Sequence, residues 1–120
     1  MSSRESEIGD CMGYPCIELE TSIAIKMLEK IASLLGYVTD DIMDSIRIIE
    51  NFDESYRYSV KKFKEYIVPV KREADLIRGR VVVDRIKLRK VGENRRVLVV
   101  FERRVDRDLI KRALESIKRS

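Results

Sequence analysis

The chain has 120 residues, 44% of them apolar and 38% charged, with a net charge of +4. That length fits one domain with a modest core, and the apolar share argues against disorder. No apolar run approaches the ~18 residues of a membrane-spanning helix, and the polar, acidic start MSSRESEIGD has no apolar segment of a secretory signal, so a cytoplasmic protein with no membrane partner is expected.

Gln and His are absent, Asn occurs only as Asn51 and Asn94, and Arg outnumbers Lys by 15 to 10. Few thermolabile amides with abundant charge is the composition expected of a hyperthermophile protein.

Residues 1–16, with Gly9, Gly13 and Pro15, read as a flexible lead-in. It holds the only cysteines, Cys11 and Cys16. They read either as two reduced thiols or, in a heat-adapted cytosol, as a local disulfide. Structural zinc would need more ligands than two Cys in a chain without His.

From Ile17 a helical stripe runs through Ala24, Leu28, Ile31, Leu35 and Val38, with Gly36 as a natural stop. Thr39 then reads as the N-cap of a second helix, with Asp40 and Asp41 in its first turn and Ile42, Ile46, Ile49 and Phe52 on its apolar side. Asp40, Asp41 and Asp44 are the densest carboxylate group, and capping and the helix dipole explain them better than a cation does. Tyr56, Val60, Phe63, Ile67, Val70, Ala74 and Ile77 follow at alternating steps of four and three. That repeat predicts a long helix with a coiled-coil-like seam for a partner helix, kinked at Pro69 and ending at Gly79.

Val81–Lys90 and Arg95–Arg103, around the turn residues Gly92, Glu93 and Asn94, predict a β-hairpin. Both alternating sets of its second strand are apolar: Val97, Val99 and Phe101, or Leu98 and Val100. The register stays open, and the strand is expected to be covered on both faces. Asp106 caps a last helix with Leu109, Ile110, Ala113, Leu114 and Ile117 on its apolar side. The expected fold is therefore α+β. A helical bundle, two N-terminal helices and a long kinked helix, is followed by an antiparallel β-hairpin and a C-terminal helix, in a single domain over residues 17–120.

Without His there is no ordinary general base and no Ser–His or Cys–His pair, and the five scattered glycines form no phosphate loop. A non-enzymatic protein without metal or cofactor is expected. Charge is the remaining signal. Residues 1–55 hold four basic and 12 acidic side chains and residues 56–120 hold 21 and nine, so the halves carry −8 and +12. Such a split suits a polyanion partner. The candidate nucleic-acid-binding residues are Arg85, Lys87, Arg89, Arg95 and Arg96 of the hairpin and Arg57, Lys61 and Lys64 of the long helix. They would hold the phosphates of DNA or RNA rather than read bases. The competing reading is an assembly subunit, a homodimer or the partner of an acidic protein, in which the acidic half neutralises the basic one.

Overall fold

A computed structural model describes residues 8–119 of the chain. Its N-terminal part overturns the expected element order. Ile17 and Leu19 alternate with Glu18 and Glu20 at the period of a strand, and Tyr14–Glu20 forms β2. Gly9–Cys11 forms β1, paired antiparallel with it. Between them Met12 and Gly13 both have positive φ, 57° and 94°, as the tight turns that match strand twist require. A disulfide joins Cys11 to Cys16. Two strands thus precede the helices. Ile17 shares a helical phase with Ala24 and Leu28 by coincidence, while the alternation of its immediate neighbours decides its conformation. Of the expected lead-in, residues 1–7 lie outside the described residues and the rest is mostly hairpin.

Helix α1, Thr21–Leu35, buries Ala24, Met27, Leu28, Ile31 and Ala32 and stops at Gly36, whose φ is 85°. Helix α2, Asp40–Glu50, starts at Thr39, whose hydroxyl accepts the Ile42 N–H at 3.4 Å. The long kinked helix is not formed. Helix α3, Phe52–Lys61, and the short α4, Glu73–Ile77, are separated by irregular chain. Ile67 is extended and exchanges backbone hydrogen bonds of 2.8 and 2.9 Å with Ile86. Pro69 supplies no N–H and disfavours a helical residue before it, but the helix has already ended at Phe63. Of the seam residues, Tyr56 and Ile67 pack on the core, whereas Val60, Phe63, Val70 and Ile77 are exposed.

Strands β3, Val83–Val91, and β4, Asn94–Phe101, form the expected hairpin, turning at Gly92 with φ 64°. Helix α5, Arg107–Arg119, follows Asp106, whose carboxylate accepts the Asp108 N–H at 3.0 Å. The sheet runs β1-β2-β4-β3 with antiparallel neighbours. β4 is therefore an inner strand, between β2 and β3. The described residues form an α+β fold of five helices and this sheet.

The register resolves which apolar set of β4 faces inward. Val97, Val99 and Phe101 are fully buried and join Ile17, Leu19, Ile86 and Leu88 in one core with residues of α1, α2 and α5. A buried carboxylate fastens this layer to the sheet: Asp41 of α2 accepts the Val82 and Val83 N–H groups at 2.7 and 2.6 Å. The outer face of the sheet, with Leu98 and Val100, carries the candidate site.

Candidate nucleic-acid interface

Strand pairing sets out the outer face in three rows: Cys16, Val100 and Arg85; Glu18, Leu98 and Lys87; Glu20, Arg96 and Arg89. Val100 is fully buried and lies outside the core cluster. Beside it in the pairing, Arg85 makes aromatic and acidic contacts. The Arg85 guanidinium lies 5.1 Å from the Tyr14 ring centre and 4.8 Å from that of Tyr66, and pairs with Asp84 at 2.5 Å. Burial would lower the Arg85 pKa, but bonding to Asp84 and Tyr66 outweighs it and raises the value.

The other sheet cations are engaged in the same way. Glu18 accepts from Arg89 and from Arg96, each at 2.8 Å. Burial alone would raise the Glu18 pKa, yet its hydrogen bonds to Arg96 and Arg89, with their charges, hold it below the ordinary value. Lys87 pairs with Glu65 at 3.0 Å. Arg95 forms two parallel bonds of 2.9 Å to Asp53 of α3, and Lys90 approaches the same carboxylate at 3.9 Å. Bonding to Arg95 is the main cause of a lowered Asp53 pKa and, in return, of a raised Arg95 pKa. Each candidate on the hairpin, Arg85, Lys87, Arg89, Arg95 and Arg96, therefore holds a carboxylate. Glu18 and Asp53, which hold three of them, come from the acidic half of the chain.

The α3 candidates differ. Arg57 is exposed and lines a surface depression with Arg95, Asp53 and Glu54. Lys61 and Lys64 are exposed, as is Lys62, and none of the three has a carboxylate partner among the described residues. Between them stands Phe63, 96% exposed with φ 54°. The Phe63 N–H donates to the Val60 carbonyl at 3.1 Å and the Lys64 N–H to that of Ser59 at 2.8 Å. This paired pattern closes a helix around a left-handed residue that is usually glycine. Gly79 ends α4 with the same pattern, through its own bond to Leu76 and that of Arg80 to Asp75.

Lys62 and Phe63 are not among the residues that sequence reasoning marks as binding. The signal for them is the run Lys61-Lys62-Phe63-Lys64 itself, concealed because Phe63 fits the apolar seam. Lys71, which a continuous helix would align with Arg57, Lys61 and Lys64, instead turns to the backbone and donates to the Asp84 carbonyl at 2.9 Å. A surface groove of about 480 Å³ also opens beside α3, lined by Tyr58, Asn51, Ser55, Arg47 and Val68 among others.

No described helix is long and apolar enough to cross a membrane. Protein-family models, curated proteins and solved structures give no significant match to this chain.

Proposed function

We propose that this protein binds nucleic acid without catalysis, holding the phosphate backbone, and that the contact is centred on the C-terminal end of α3. The observation that carries this reading is the group Lys61, Lys62 and Lys64, exposed and without carboxylate partners among the described residues. An unpaired ammonium releases counterions from a phosphate chain at no cost in broken ion pairs. Arg57 lies one turn before Lys61 and extends the positive surface. Arg85, Lys87, Arg89, Arg95 and Arg96 are a secondary surface, since each must give up or share a carboxylate. Their dense pairing supports the reading of a heat-adapted protein.

The test is a fluorescence anisotropy titration of labelled DNA and RNA, single-stranded and duplex, across salt concentrations. The parent protein should bind, with affinity falling steeply as salt rises. Charge reversal of Lys61, Lys62 and Lys64 together should weaken binding by roughly 100-fold or more and flatten the salt slope by roughly two to three. Absence of binding to every probe at low salt overturns the reading.

One observation favours the competing assembly role: Val60, Val70, Leu76 and Ile77 are all more than half exposed, and apolar side chains left in water at these positions would be covered by a protein partner. That reading requires a dimer or larger assembly by light scattering, and a monomer at high concentration excludes the homodimer.

A further inference from the structure

We propose, on the basis of the nucleic-acid reading above, that Phe63 is a base-stacking residue and that the ligand of the α3 corner is single-stranded nucleic acid. Three observations converge on this side chain. First, its ring is 96% exposed, so it contributes nothing to the core. Second, its backbone is left-handed, φ 54°, at the helix-closing position that Gly79 fills after α4. A bulky residue is unfavourable there, so neither folding nor local geometry accounts for phenylalanine. Third, it stands between Lys62 and Lys64, next to Lys61. The helix dipole explains lysines at a C-terminus, but not an aromatic ring held in water among them.

Single-stranded nucleic acid needs both parts of this arrangement. Its phosphates are drawn to cations, and its unpaired bases present flat faces that stack on aromatic rings with little regard to sequence. In a duplex the base faces are already stacked on each other, so an exposed ring gains little there. A single ring among lysines thus discriminates strand state rather than base identity, as expected of a chain with no base-reading motif. Single-stranded DNA and RNA share this chemistry.

Two variants test it. Phe63→Ala should weaken binding to a labelled oligothymidine and an oligouridine by roughly 5- to 150-fold, leave duplex binding within about twofold, and leave the salt slope unchanged, because stacking releases no counterions. The chain has no tryptophan, so Phe63→Trp places one reporter at the site. It should keep the single-strand affinity, and its emission should be quenched as the oligonucleotide saturates. If the parent binds single strands and Phe63→Ala binds them equally well, the stacking role is wrong while the phosphate reading stands. If the parent binds no oligonucleotide at all, both fall. Indole emission from the Phe63→Trp variant that stays unquenched at saturation also overturns the proposal. So does a blue shift produced only by phosphatidylcholine–phosphatidylserine vesicles, which would assign the corner to a membrane surface.

Discussion

The outer face of the sheet and the end of α3 are both rich in basic residues, yet they are electrostatically different surfaces. On the sheet, β2 runs beside β4, so Glu18 meets Arg96 on the neighbouring strand and Arg89 on the strand beyond. At its rim Asp53 of α3 meets Arg95 and Lys90. At the end of α3 no described carboxylate reaches Lys61, Lys62 or Lys64. Charge that is counted in a sequence is therefore not charge that is available to a ligand. Topology decides which cations are engaged inside the molecule, and here it leaves the shorter basic run as the freer one.

The largest expected change comes from the bond that ties α2 to β3. The Asp41 carboxylate is fully buried and accepts two backbone N–H groups at the entry to β3. Replacement by alanine leaves both donors buried without their charged acceptor, at a cost of about 3 kcal/mol. Asp41→Asn keeps an acceptor oxygen and should lose roughly half as much. Denaturant unfolding measures both. Oligonucleotide affinity at temperatures where the variants remain folded should be unchanged, because Asp41 touches neither surface.

A more selective change narrows the difference between the surfaces. Glu18→Gln removes the charge that holds Arg89 and Arg96. The Glu18 side chain is 28% exposed, and partly exposed pairs contribute modestly, so stability should fall by about 1 kcal/mol or less. Nucleic-acid affinity at low salt should rise, by up to about tenfold for two released guanidiniums. Unaltered affinity would mean that the sheet face takes no part in binding even when its cations are free.

Acid provides the same perturbation without mutation. The Glu18 and Asp53 carboxyls both lie below their ordinary values of 4.5 and 3.8 in the folded chain. A carboxyl with a depressed folded pKa contributes stability that is complete above its unfolded pKa and is lost as pH falls through the folded one. The loss of stability between about pH 6 and about pH 3 should therefore be smaller in Glu18→Gln than in the parent, by the share that belongs to Glu18. Equal losses in the two proteins would show that the Glu18 ion pairs contribute nothing to the acid response.

The sequence discloses local features of this molecule better than long-range ones. Thr39, Gly36 and the Gly92 turn are marked by their own residue types, so the ends of α1 and α2 and the β3–β4 hairpin are legible. Ile17 is not, because one apolar residue fits a helical stripe and a strand alternation equally well. The seam from Tyr56 to Ile77 is misleading for a different reason. Its period is helical, but periodicity carries no information about where the backbone reverses, and Phe63 gives no glycine to mark the end of α3. The pairing of Glu18 with Arg89 and Arg96 spans 71 and 78 residues and follows only from the position of β2 beside β4. The binding candidates on the hairpin are thus recognisable as basic, but their occupation by carboxylates is not.

The smallest expected effect is the sharpest test of what Phe63 does for the fold. Left-handed backbone costs a non-glycine residue about 1–2 kcal/mol, and glycine at that position loses part of this advantage through the greater freedom of its unfolded chain. Phe63→Gly should therefore stabilise the protein by about 0.5–1 kcal/mol, visible as a rise of a few degrees in Tm. Phe63→Ala keeps the strain and the exposure, so its Tm should remain close to that of the parent. Gly79 already shows that the same closing hydrogen bonds form around glycine. A glycine variant that is more stable and binds single strands less well would locate the function of Phe63 outside the fold. A glycine variant less stable than the parent would mean that the ring supports α3, and a purely structural role would then account for its presence.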